Sequence, residues 1–168
     1  MFKKLLPLTL VALVGLAPNV AAKIDARAKA GIGTSSDSNN SFHAYIGATF
    51  SQKLGKGVSI GLDMSALLEN TNSETSYGAK LEEEFKNYSL GITSGLSKIR
   101  LSKTLHISDS KISEPIPENT YFINAEIGRK ISEKARIKAV YQKNFVSEEI
   151  SNNNYPLHRV SLGLETLF

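Results

Sequence analysis

Two residues near the middle of the chain have the types and the spacing of a base and its nucleophile. His106 and Ser108 are separated by one residue in the run His-Ile-Ser. Residues two apart on a β-strand point to the same face, so an imidazole would lie beside a hydroxyl, as ester or amide hydrolysis needs. His106 and Ser108 are therefore the candidate catalytic residues, and the alternative is an ordinary histidine at the end of a strand.

Charged side chains at alternating positions form a second candidate set. If the segments that carry them are strands, the charges project from one polar face. One interpretation is a selective pore lined by charge. The alternative is a packed polar core, in which buried charges pair because an unpaired buried charge is costly. The set is centred on Arg27, Asp63, Glu126, Arg136 and Glu165, with further bases that include Lys98 and Arg100.

Composition excludes several other kinds of site. The chain has no cysteine, which excludes disulfides and thiol chemistry, and its three histidines have no metal-ligand spacing. The glycines recur inside alternating segments and form no phosphate-binding loop. A formal net charge of +4 without a run of lysine or arginine indicates no nucleic-acid partner. The sequence therefore predicts neither a cofactor nor a metal.

The elements that position these residues are predicted to be strands, because apolar and polar residues alternate with a period of two. Residues 94–97 are predicted to be a tight turn. The polar stretch 69–87, which contains three consecutive glutamates, is predicted to be a long loop. The sequence thus predicts an all-β, antiparallel fold of eight strands, at residues 24–33, 42–51, 58–68, 88–93, 98–107, 120–131, 135–146 and 158–168.

The N-terminus has the features of a secretory signal peptide over residues 1–22. Lys3 and Lys4 precede an uncharged stretch, and residues 20–22 are small, as a cleavage site requires. That stretch is short for a membrane helix, and none follows in residues 23–168. The predicted domain, residues 23–168, would therefore enter a membrane only as strands.

Alternation alone fits a soluble barrel with its apolar face inward as well as a membrane barrel with its apolar face outward. The glycines favour the membrane barrel. Gly47, Gly61 and Gly163 lie on the polar face between apolar neighbours, and the narrow interior of an eight-stranded barrel accommodates glycine beside longer residues. The polar face is therefore predicted to be the inside.

The final strand carries a resemblance to a known family. Val160, Leu162, Leu164 and Phe168 share one face, and the sequence stops on that phenylalanine. Closing strands of bacterial outer-membrane barrels look like this and are read by the assembly machinery, although Thr166 stands where they usually carry an aromatic residue. The domain resembles the small eight-stranded outer-membrane barrels of the OmpA/OmpX and opacity-protein type. This resemblance implies an up-and-down transmembrane β-barrel in the cell outer membrane, in contact with the lipid bilayer and lipopolysaccharide.

Such a barrel should carry aromatic girdles at both edges of its apolar band. Phe42, Tyr88, Tyr121 and Phe145 are predicted at the outer edge, and Phe50 and Phe168 at the periplasmic edge. Lys103 fits this arrangement badly. It would face lipid between Leu101 and Leu105, unless it snorkels or a bulge reverses the register.

Three functions remain open from the sequence. The first is a surface protein with a structural or interaction role, whose acidic external loops, chiefly residues 69–87, contact a protein partner. The second is a narrow porin. The third is a lipid A hydrolase, because outer-membrane lipid A deacylases are eight-stranded and use a His-x-Ser pair. In those enzymes Asn-Ala-Gly follows the pair, whereas His106 and Ser108 are followed by Asp-Ser-Lys.

Overall fold

The computed structural model of the protein describes residues 24–35, 41–69, 72–107, 110–146 and 155–168, with the backbone alone for residues 101–107 and 110–118. The predicted signal peptide, residues 1–22, lies outside the described residues. Each strand pairs antiparallel with its neighbour in sequence, and the last pairs with the first to close a barrel. The predicted fold class is confirmed. The strands are β1 (Ile24–Ser35), β2 (Phe42–Gly55), β3 (Val58–Glu69), β4 (Asn72–Phe85), β5 (Tyr88–Ile107), β6 (Ser110–Lys130), β7 (Ala135–Phe145) and β8 (His158–Leu167).

The register of the pairs fixes the tilt of the strands. Cross-strand partners that start at Ile24 return to β1 at Thr34, ten residues further along the strand (34 − 24 = 10). For eight strands this stagger corresponds to a tilt of about 40° and to an interior just wide enough for side chains to fill. The circuit runs through Gln52, Ile60, Leu81, Ile92, Ala125, Tyr141 and Val160.

The two ends of the barrel differ in their connections. We call one the turn end, because residues 56–57, 86–87 and 131–134 connect strands there, beside the start of β1 and Phe168. The opposite, loop end carries the remaining connections. Tyr88 begins β5 and pairs with Phe85, so it lies at the turn end, and its predicted place in the outer girdle is wrong. The remaining connections are residues 36–41, 70–71, 108–109 and 146–157.

The predicted long loop at residues 69–87 is wrong, because most of it is strand β4. Its residues pair continuously with β3 and β5. The outward face is only moderately apolar, and the inward face is polar throughout because it meets charged partners in the lumen. The glutamates of this segment therefore do not form an acidic external loop. The inward residues of β4 are Glu74, Ser76, Gly78, Lys80, Glu82 and Glu84.

The predicted turn at residues 94–97 is also wrong, because β5 runs through it without interruption. Gly95 pairs with Gly78 of β4, and a Cβ at Gly95 would clash with the carbonyl oxygen of Tyr77. Glycine is thus required here by the close approach of two strands. The sequence still predicts the correct number of eight strands, because the prediction misses β4 and divides β5 into two strands.

The β5–β6 hairpin extends beyond the barrel wall. The last pair between β4 and β5 is Ser73 with Arg100, and the last pair between β6 and β7 is Tyr121 with Phe145. Seven further pairs, from Leu101–Ile116 to Ile107–Ser110, join β5 only to β6. At about 3.3 Å per residue they project by about 23 Å. Residues 101–116, which we call the projecting hairpin, include Lys103, and its pairing with Glu114 is part of a continuous register.

The barrel is apolar outside and polar inside, as the sequence predicts. Large apolar side chains are exposed around the wall, for example Ile32 at 68%, Ile46 at 66% and Leu162 at 59%. The buried side chains are mostly charged residues, serines and threonines. In the described ranges, no helix is long and apolar enough to cross a membrane.

Candidate functional site

The turn half of the lumen contains a network of ion pairs centred on Glu82. Glu82 Oε1 accepts hydrogen bonds from Arg27 Nη1 at 2.6 Å and from Arg136 Nη1 at 2.7 Å. Its Oε2 accepts one from Lys138 Nζ at 2.8 Å and lies 3.1 Å from Lys80 Nζ. One carboxylate from β4 therefore joins cations from β1, β4 and β7. We call the whole set the central ion network: Arg27, Lys80, Glu82, Glu126, Arg136, Lys138 and Glu165.

Two further carboxylates belong to this network, and Glu84 at its edge also lies 3.0 Å from Arg27 Nη2 and 2.5 Å from Arg136 Nη2. Glu126 Oε2 accepts hydrogen bonds from Lys80 Nζ at 2.7 Å and Lys138 Nζ at 3.1 Å. Glu165 Oε2 lies 2.8 Å from Lys138 Nζ, and its Oε1 lies 3.4 Å from Arg27 Nη1 across the β1–β8 seam. Arg27 and Glu165 therefore pair across the seam that closes the barrel. Because each cation touches several acids, removing one charge leaves several buried partners unbalanced.

A second cluster closes the loop end. Arg159 of β8, 1% exposed, donates hydrogen bonds to Glu74 Oε2 at 2.5 Å and to Glu69 Oε2 at 3.0 Å. Tyr155, from the β7–β8 connection, is buried against this arginine and donates its hydroxyl to Glu74. Burial, and then the charge of Glu74, raise the pKa of Tyr155 well above its ordinary value, so the hydroxyl stays protonated. We call Glu69, Glu74, Tyr155 and Arg159 the mouth cluster.

Side chains fill the lumen between these two groups. At the turn end a cavity of about 20 Å³, lined by Arg27, Glu165 and residues 132–134, has room for about one water molecule. In the described residues, the inward side chains in the middle of the lumen are almost fully shielded from solvent. Four inward side chains there are each at most 2% exposed: Thr49, Thr93, Ser97 and Phe122.

The five lumen charges predicted from the sequence occupy this interior. Arg27, Asp63, Glu126, Arg136 and Glu165 are all buried and ion-paired. Asp63 accepts hydrogen bonds from Thr49 and Lys29, each at 2.5 Å.

Two further sequence assignments were wrong, and five lumen charges were missed. Lys98 and Arg100 are exposed on the outward face of β5, because the strand continues through the expected turn and alternates in the opposite phase. The inward face of β4 was not recognised, although Lys80 lies between Ala79 and Leu81 and the acids Glu82 and Glu84 continue the same phase. The missed inward charges are Glu69, Glu74, Lys80, Glu82 and Glu84.

The candidate catalytic pair is only partly described. The backbone of His106 pairs with Lys111 in the projecting hairpin, and Ser108 lies outside the described residues. A different histidine and serine meet inside the barrel, where His43 Nε2 lies 2.7 Å from Ser161 Oγ. Both are buried on the inner wall. The described residues also contain no group of three or more histidines and acids placed to hold a metal.

The outward face of β8 presents the residues that the sequence links to assembly. Val160 is 55% exposed, Leu162 59%, Leu164 46% and Phe168 83%. They lie on the outward face of the wall and at the turn end. Their role as an assembly signal stays a prediction.

Comparison with known proteins gives matches in structure alone. No family model and no curated protein matches the sequence. A designed transmembrane β-barrel is similar with a TM-score of 0.58 and 12% identity, over 86% of this chain and 95% of the design. Neisserial surface protein A has a TM-score of 0.54 and 16% identity, over 89% of this chain and all (100%) of that one. The Yersinia pestis outer membrane protein Ail has a TM-score of 0.54 and 12% identity, over 87% and 100% of the two chains.

Structural matches at sequence identities this low establish the fold alone. What this chain shares with these structures is the fold of a closed eight-stranded barrel. They confirm the resemblance inferred from the sequence, and the chain has the fold of the small eight-stranded outer-membrane barrels.

Proposed function

We propose that the protein is an outer-membrane barrel that does not conduct and that serves as a rigid mount for a surface-exposed interaction segment. The observation that carries this proposal is the combination of a lumen filled by ion pairs with a hairpin that projects about 23 Å beyond the wall. The apolar exterior supports placement in a bilayer. Its alternation, tilt and aromatic ends are those of barrels that cross membranes.

The segment proposed to make contacts is the projecting hairpin rather than residues 69–87. In barrels of this kind short turns face the periplasm and longer connections face outward. That rule directs the loop end, and with it residues 101–116, away from the cell. We also propose that the protein lies in the outer membrane, contacts lipopolysaccharide and binds a partner at the cell surface. We also propose that the outward face of β8 acts as an assembly signal. If so, Phe168→Ala should lower the yield of folded protein.

Limited trypsin digestion of intact cells tests the orientation and the mount together. Lys103 and Lys111 lie in the projecting hairpin, whereas Lys56 and Lys86 lie at the turn end. We expect cleavage within the hairpin on intact cells, and cleavage at the turn end only after the envelope is permeabilised. A variant carrying Lys103→Gln and Lys111→Gln should lose cleavage at these two hairpin sites on intact cells. Cleavage at the turn end of intact cells would contradict the proposed orientation.

Both alternatives predict signals that the mount does not. A narrow porin would give steady conductance in planar bilayers, and we expect none, because the middle of the lumen is packed with side chains. A lipid A hydrolase would change the mass of lipid A when expressed, and His106→Ala would abolish that change. We expect the mass of lipid A to be unchanged. A changed mass would support the lipid A hydrolase over the interaction protein.

A further inference from the structure

Two tight turns at the turn end place lysine where folding favours other residues. Lys56 has φ 50° and Gly57 has φ 85°, the pattern of a type I′ turn. Lys86 also has φ 50°, with positive φ only at this first central residue, the pattern of a type II′ turn. The first central residue is usually Asn, Asp or Gly in type I′ and Gly in type II′, because a Cβ crowds the backbone in the left-handed region. Turn formation alone therefore accounts for neither lysine.

Backbone hydrogen bonds hold these two turns side by side with the end of β6. The Glu84 N–H donates to the Gly57 carbonyl at 2.8 Å, which joins the first turn to the strand that ends at the second. The Lys130 N–H donates to the Asn87 carbonyl at 2.8 Å, which joins the second turn to β6. The exposed cations on these neighbouring segments are Lys56, Lys86 and Arg129, which we call the basic rim.

The charges around this patch leave it positive. Two more exposed lysines, Lys53 and Lys134, lie at the same end, and Lys53 is 3.9 Å from Asp25. The other exposed carboxylates among the described turn-end residues are Glu83 and Glu133. Bases thus outnumber acids on the surface that the turns present.

The basic rim borders a belt of exposed aromatic side chains. Phe85 pairs with Tyr88, and Tyr88 pairs with Arg129 on the next strand. Phe85 is 40% exposed and Tyr88 48%, and Phe50 and Phe168 extend the belt at the same end. Aromatic belts mark the level of the lipid headgroups. The rim therefore lies where the phosphates of a bilayer begin.

We propose that the basic rim binds the phosphate groups of anionic phospholipids in the leaflet at the turn end. Lysine and arginine donate charge-assisted hydrogen bonds to phosphate oxygens. Lipid is the occupant rather than a protein partner, because the cations continue directly from the aromatic belt. The inference rests on the proposed membrane function. It accounts for two lysines kept at backbone positions that suit asparagine and glycine better.

The test is lipid retention by the purified, folded protein in detergent micelles, measured by native mass spectrometry. The probes are short-chain phosphatidylglycerol and phosphatidylcholine. One lysine at an anionic lipid surface contributes about a fivefold preference, so Lys56→Asn combined with Lys86→Gly should lower the preference for phosphatidylglycerol about 25-fold. The same variant should unfold at an equal or higher temperature, because both turns gain favoured residues. An unchanged lipid preference overturns the proposal.

A matched variant separates the rim from general charge attraction. Lys98→Gln combined with Arg100→Gln removes two exposed cations near the loop end and should leave the preference unchanged. An equal loss there overturns the proposal. If the double turn variant does not fold, Arg129→Gln replaces it, with about a fivefold loss expected. Wild-type protein that stays soluble without detergent would refute the membrane function, whereas membrane insertion without a phosphatidylglycerol preference refutes the rim alone.

Discussion

Replacing Glu82 by glutamine should destabilise the folded barrel by about 3–5 kcal/mol, the usual cost of breaking a buried ion pair by removing one partner. The side chain keeps its size, but the cations of Arg27, Arg136, Lys138 and Lys80 lose their shared carboxylate. Urea unfolding of the refolded protein in detergent, followed by circular dichroism, measures the loss.

The neighbouring residue supplies the control. Glu83 is exposed on the outward face of the same strand, so Glu83→Gln removes an identical charge without disturbing the network. An exposed substitution of this kind should change the free energy of unfolding by no more than about 0.5 kcal/mol. Equal losses from the two variants would show that the network contributes nothing beyond net charge.

Replacing Arg159 by methionine should have an effect of similar size at the other end of the lumen. Glu69 and Glu74 would both lose their buried cation, at a cost of about 3–5 kcal/mol. Tyr155 would lose the guanidinium that lies 4.9 Å from its ring, so the β7–β8 connection should become sensitive to protease. Urea unfolding and limited proteolysis in detergent measure the two effects.

Arg100 is the matched control for this second prediction. It lies near the same end but is exposed on the outward face, so Arg100→Met should leave both measurements close to wild type. Arg159→Lys keeps the charge without the two-pronged geometry of the guanidinium, and it should fall between wild type and methionine. Arg159→Met without loss of stability would contradict a structural role for the mouth cluster.

Most of the barrel could be predicted from alternation, because most strands carry apolar residues at every second position. In β8, Val160, Leu162 and Leu164 mark the outward face without ambiguity. The sequence-based prediction missed β4, because its polar face meets charged partners rather than an apolar core and because three consecutive glutamates resemble a loop. Deleting residues 70–86 as a loop would in fact remove β4 and, with it, Glu82.

The interior was harder to predict, because its composition depends on which strands are recognised. When β4 is missed, the predicted lumen contains more bases than acids. The wrong phase predicted for β5 adds Lys98 and Arg100 to that surplus. The structure supplies Glu74, Glu82 and Glu84 from the missed strand. Since a closed lumen tolerates little uncompensated charge, a predicted surplus of buried bases is itself a sign that an acidic strand has been missed.

The two outer edges of the projecting hairpin differ in their capacity to recruit another strand. On the flank of β6 that does not pair with β7, Pro115 lies in the projecting hairpin and Pro117 directly follows it, whereas β5 contains no proline from Leu101 to Ile107. Proline has no N–H, and within sheets it occurs at edges where that group would have faced solvent. One flank of the hairpin is thus protected against edge-to-edge aggregation while the other is open. When many copies crowd in one membrane, their hairpins would therefore not pair edge to edge into a continuous sheet.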